Sequence, residues 1–120
     1  RFYLIPGNHD IVNTSTFPEN LMLKTNPTSL GGLWLGHAPE DLPENEKGIC
    51  GHIHPGYRLS GKGRQSLMLP AAYLYPNTLV LPAFGVLTGM VKMPVKKNTD
   101  RILFTPQGPS LLSSGIKKAP

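Results

Sequence analysis

Gly51-His52-Ile53-His54-Pro55, near the middle of a 120-residue chain, is the stretch from which the rest of the sequence is read. Two histidines at i and i+2 bracket one apolar residue, with a glycine just before them. On a strand, side chains two apart project to the same face. On a tight loop after a strand they can still converge, and the glycine allows close backbone approach to a bound group. Two imidazoles aimed at one point suit Mn, Fe, Ni, Zn or Cu ions. The plain alternative is a surface turn that happens to be rich in histidine.

Working outward, the other two histidines repeat the same grammar. His9 lies in Gly7-Asn8-His9-Asp10, just past the apolar run Phe2-Tyr3-Leu4-Ile5. His37 lies in Gly36-His37, just past Leu33-Trp34-Leu35, and His52 follows Gly48-Ile49-Cys50-Gly51. Each histidine cluster thus follows a short β-like run with a glycine at the junction. Functional groups collect at the carboxyl ends of strands in open sheets, so these loops are expected to share one rim.

Gly-Asn-His-Asp, then Gly-His, then Gly-His-x-His resembles the C-terminal three of the five signature blocks of calcineurin-like metallophosphoesterases, over residues 7–54. Gly61-Lys62-Gly63-Arg64, Leu69-Pro70, Leu79 to Gly85 and Thr88-Gly89 extend the likeness to a ligase-associated subgroup named for a DNA-damage-response endonuclease role. The pattern departs at Met90, where the family usually has glycine, and at Ala38, often another residue. Serine/threonine protein phosphatases usually carry Glu where Asp10 stands.

The resemblance implies an α+β fold, the C-terminal half of a four-layer α/β/β/α sandwich that is mostly β in this stretch. It implies two divalent metal ions, Mn first, with Fe, Zn, Ni or Mg as alternatives. They act on a phosphate ester through a bridging hydroxide. It assigns Asn8, His37 and His52 to one ion and His54 to the other. His9 would contact the scissile phosphate and protonate the leaving oxygen, with Asp10 orienting it. Arg58, Lys62 and Arg64 would bind other phosphates of the substrate, nucleic acid being one candidate. Without the resemblance, Asn8 and Asp10 read as loop or helix caps, and the three cations as solvated surface.

The family's first two blocks, an Asp-x-His and a Gly-Asp with a bridging aspartate, would precede Arg1. The expectation is therefore that residues 1–105 are the C-terminal half of a metallophosphoesterase domain, inactive without the N-terminal half, and that residues 106–120 form a flexible tail. One alternative is a non-catalytic scaffold of the same fold. Another is a small nucleic-acid-binding module, which the lack of interleaved aromatics disfavours.

Twelve Lys and Arg against seven acidic residues give a net charge of +5, compatible with a polyanionic substrate. Cys50 is the only cysteine, so an internal disulfide is excluded and a reducing, cytoplasmic location is expected. No apolar run reaches the roughly 18 residues of a membrane span. Oligomeric state leaves no mark on the sequence.

Strands are expected at residues 1–5, 21–23, 30–35, 49–50, 67–69, 71–75, 78–83 and 101–105. Gly31-Gly32 leads into the second arm of a hairpin, and Pro76-Asn77 makes a turn. Glu40, Asp41, Glu44 and Glu46 read as a solvated loop or one-turn helix, residues 56–64 as a Gly-rich basic loop, and no stretch carries a helical period.

Overall fold

The computed structural model describes residues 2–8, 17–85 and 89–113. Within them the chain is almost wholly β: eleven strands and one 3-10 turn, Pro39–Asp41. The mostly-β expectation is met, and among the described residues no helix is long and apolar enough to cross a membrane.

Strands β1 (Phe2–Leu4) and β2 (Leu21–Leu23) form a separate parallel pair, Phe2 opposite Leu21. The next two, β3 (Thr28–Leu30) and β4 (Leu33–Leu35), form a hairpin across Gly31-Gly32. Both glycines have positive φ, +59° and +84°, as a two-residue turn matched to strand twist requires. The second arm was legible, but its partner is Thr28–Leu30.

Strand β5 (Gly48–Cys50) lies parallel to β4 on one side and to β8 (Thr78–Val80) on the other. Their carboxyl ends therefore point the same way. The backbone ladder continues past them: Gly36 N–H donates to Ile49 O at 3.0 Å, and Gly51 N–H to His37 O at 2.9 Å.

The long strand β7 (Ser66–Leu74) joins the two parts of the sheet. Its first half pairs with β6 (Pro55–Ser60), and its second half pairs with β8 and β10 (Asp100–Thr105). Pro70, which has no N–H to give a ladder, stands at the handover. Strand β9 (Val91–Lys92) adds to the outside of β6, and β11 (Gly108–Ser113) to β10.

Two expectations are corrected here. Residues 56–64 are not one loop: β6 carries Gly56 to Ser60, and only the residues after it turn. The tail does not begin at Pro106, because Gly108–Ser113 pairs along its whole length with β10. Residues 114–120 lie outside the described residues.

Register sorts the sheet into two faces. On one lie Cys50, Val80, Tyr73, Arg101 and Leu103, all buried. Strand β6 covers this face: Tyr73 Oη donates to Gly56 O at 3.0 Å, and the Arg101 guanidinium sits 5.3 Å from the Tyr57 ring centroid. The other face is apolar and far less covered.

Candidate metal centre

Three loops leave the carboxyl ends of β1, β4 and β5, and they meet. His37 Nε2 stands 3.0 Å from Asn8 Oδ1 and 2.9 Å from His52 Nδ1. The two imidazoles are 4.7 Å apart at their centroids and tilted by 57°. They open on a pocket of about 410 Å³ that Gly7, Asn26 and Asp41 also line.

Local backbone explains the convergence. Gly7 passes so close to His37 that a β-carbon there would stand 2.9 Å from Nε2, inside the ring's contact distance. After β5 the chain turns sharply: Ile53 N–H donates to Gly51 O at 2.9 Å across His52, whose φ is +73°. That is a γ-turn of the rare positive-φ kind, a strained conformation for a side chain as large as imidazole. His54 is also left-handed, at φ +60°. The His-x-His pair is thus held in turns rather than on a strand.

The three donor atoms fit a cation. Asn8 Oδ1 can only accept, and His37 Nε2 carries at most one proton. Either one proton serves both contacts, or one contact faces lone pair to lone pair. A metal ion satisfies all three lone pairs at once. Separations of 2.9 and 3.0 Å are short enough that Asn8 Oδ1, His37 Nε2 and His52 Nδ1 could hold one cation between them. Among the described residues no group of three or more His, Cys, Asp or Glu is arranged to hold a metal. The cluster is two imidazoles and an amide, which calls for further ligands.

His54 is half-buried, and among the described residues no hydrogen bond to its ring is seen; its carbonyl accepts the Val91 N–H at 2.9 Å. His9 and Asp10 lie outside the described residues. The basic residues are not brought to the cluster. Arg58 lies on β6 and donates to Ser66 Oγ at 3.0 Å, while Lys62 and Arg64 follow in the exposed turn beyond Ser60. Six residues of strand carry that turn roughly 20 Å from Pro55.

Sequence reasoning missed Asn26 and Asp41. Asn26 Oδ1 accepts the His37 backbone N–H at 3.0 Å, and its Nδ2 donates to Asp41 Oδ2 at 3.1 Å. The first read as part of a turn and the second as a solvated acid. No local pattern links two loops fifteen residues apart.

No family model matches the chain, and no curated protein matches it. Among solved structures it is similar to the Pseudomonas putida nuclease MPE, at 25% identity and a TM-score of 0.63. The alignment covers 84% of this chain and 48% of that one. The chain therefore has a fold seen in a nuclease, and spans about half that nuclease's length.

Proposed function

We propose that residues 1–120 contribute the C-terminal half of a dinuclear metal-dependent phosphoesterase, acting on phosphodiesters and hence as a nuclease. The convergence of Asn8, His37 and His52 at the carboxyl ends of three strands carries this reading. Fold likeness to a nuclease supports it.

In this reading Asn8, His37 and His52 hold one divalent ion and His54 contributes to a second, with ligands from the preceding half of the domain completing both. Mn is the first choice. Fe, Zn, Ni or Mg are compatible with the same imidazole and amide oxygen donors. When bound, such a pair supplies charge neutralisation at the phosphoryl oxygens and an activated water. Asn8 brings a neutral oxygen, so it orients without cancelling the positive charge that draws a phosphate in. His9, paired with Asp10, donates its proton to the leaving oxygen; this role comes from the resemblance. Lys62 and Arg64, in the turn beyond β6, would meet only phosphates remote from the one being cleaved.

The test is a comparison of variants in the protein carrying residues 1–120. His52→Ala should lose most of one Mn per chain by elemental analysis, and hydrolysis of a diester with it. His9→Asn should retain both ions while diester turnover falls by about 10²–10⁴-fold, less for very good leaving groups. A protein that binds no Mn and hydrolyses no diester would instead be the non-catalytic scaffold.

A further inference from the structure

We infer that Asn26 and Asp41 are positioning residues that set His37 for metal binding, an inference that rests on the metal reading above. Asn26 comes from the β2–β3 connection and Asp41 from the 3-10 turn, yet both reach the loop that carries His37. Asn26 Oδ1 accepts the His37 N–H at 3.0 Å. Asn26 Nδ2 donates to Asp41 Oδ2 at 3.1 Å, and that same oxygen accepts the Ala38 N–H at 3.1 Å.

The orientation of the amide follows from its partners. A backbone N–H can only donate, so the amide oxygen must face His37. A carboxylate can only accept, so the amide nitrogen must face Asp41. Two consecutive backbone N–H groups, at His37 and Ala38, are thereby tied to one relay of two side chains. On the opposite side His37 O accepts the Gly51 N–H at 2.9 Å. The His37 backbone is therefore gripped at both its donor and its acceptor. One grip comes from the Asn26–Asp41 relay and the other from the loop that carries His52.

The relay adds to the end of the sheet's own ladder: the paired register of β4 and β5 stops at Leu35 opposite Ile49, and the bonds Gly36 N–H to Ile49 O and Gly51 N–H to His37 O carry it to His37. Its side-chain link is solvent-exposed, so its loss changes overall stability little, whereas ligand geometry is sensitive to small shifts. Partners that orient a metal ligand typically govern affinity by 10–100-fold. Loss of Asn26 frees the His37 N–H and lets the ring drift from Asn8 and His52.

Titration of Mn²⁺ into the protein carrying residues 1–120, with free ion read by its paramagnetic resonance signal, tests this. Asn26→Ala should weaken the ion that His52→Ala also loses by roughly 10–100-fold. The other ion and the melting temperature of the metal-free protein should stay near the parent's. Asn26→Asp sets two carboxylates against each other and should weaken binding similarly.

Parent-like affinity in Asn26→Ala, or in Asn26→Asp, would overturn the inference and leave the metal reading standing. Loss of affinity accompanied by unfolding of the metal-free variant would also overturn it, showing a structural role only. A parent that binds no Mn²⁺ would overturn both.

Discussion

At the scale of single residues, His52 carries the most specific physical consequence. Its positive φ in a γ-turn stores strain of about 1–3 kcal/mol, held in place by the Gly51–Ile53 bond on the chain around it. Both His52→Gly and His52→Ala should lose an ion. Glycine has no β-carbon to oppose φ +73°, so the Gly variant should be the more stable of the two by about 1 kcal/mol in urea melts. Equal midpoints would show that the turn is unstrained. Gly7→Ala tests the close approach to His37: the added methyl must push the ring away, and Mn²⁺ affinity should fall with little change in metal-free stability. Cys50, 2% exposed, is a buried thiol rather than a reactive one. Burial chiefly, then the charges of Glu40 and Asp41, push its pKa up from 9.0 to about 11. The folded state therefore holds its proton more tightly than the unfolded chain. The stability this gives is present below pH 9 and is lost as pH rises towards 11. Alkaline melts should show that loss reduced in Cys50→Ala, and a thiol reagent at pH 8 should label the native protein far more slowly than the unfolded one. The convergence of Asn8, His37 and His52 was expected because each follows a strand-like run, and the three side chains do meet. Asn26 and Asp41 were not, because a bond between distant loops leaves no periodicity.

At the scale of elements, the sequence shows strands where residues are apolar and hides them where they are not. Gly31-Gly32 announced a hairpin because only a positive-φ pair makes that turn. Strand β6 was misread because residues 56–64 together hold three glycines and three basic residues, although the strand itself has only Gly56 and Arg58; pairing with β7 holds it. Strand β11 holds Gly108, Pro109 and two serines, Ser110 and Ser113, a composition that suggests a tail. An edge strand needs only one partner and tolerates proline where no ladder bond is asked of it. The joint between β6 and β7 supplies a measurable link. Tyr73 is fully buried, and its hydroxyl gives Gly56 O a hydrogen bond of 3.0 Å. Tyr73→Phe leaves that carbonyl without this donor and should cost about 1–3 kcal/mol by denaturant unfolding. The β6–β7 hairpin should lose amide-exchange protection before the β10–β11 hairpin does. A variant as stable as the parent would show that the bond is dispensable.

At the scale of the whole molecule, the partly covered sheet face bears on what residues 1–120 can do alone. Ile49, Leu79, Leu74, Ile102, Phe104 and Leu111 share that face by register across β5, β8, β7, β10 and β11. Leu111 is 67% exposed there, and Leu74 and Phe104 are exposed as well. The radius of gyration, 16.7 Å, exceeds the roughly 14 Å of a compact domain of this length. A parallel pair such as β1–β2, with Phe2, Tyr3, Met22 and Leu23 exposed, is not stable by itself, because parallel strands need cover on both faces. These features fit one half of a larger domain, as the proposed function requires. The 120-residue chain by itself should then bind a hydrophobic dye, aggregate readily, and hold at most one ion weakly. With the remaining ligands absent, it should hydrolyse no diester above background in the presence of Mn²⁺. Supplying the other half, in the same polypeptide or as a complementing chain, should suppress dye binding and restore turnover together, since one act of packing covers the apolar face and completes the ligand set. Strong Mn-dependent turnover by the 120 residues alone, abolished by His54→Ala, would show that the site is already complete without a second half.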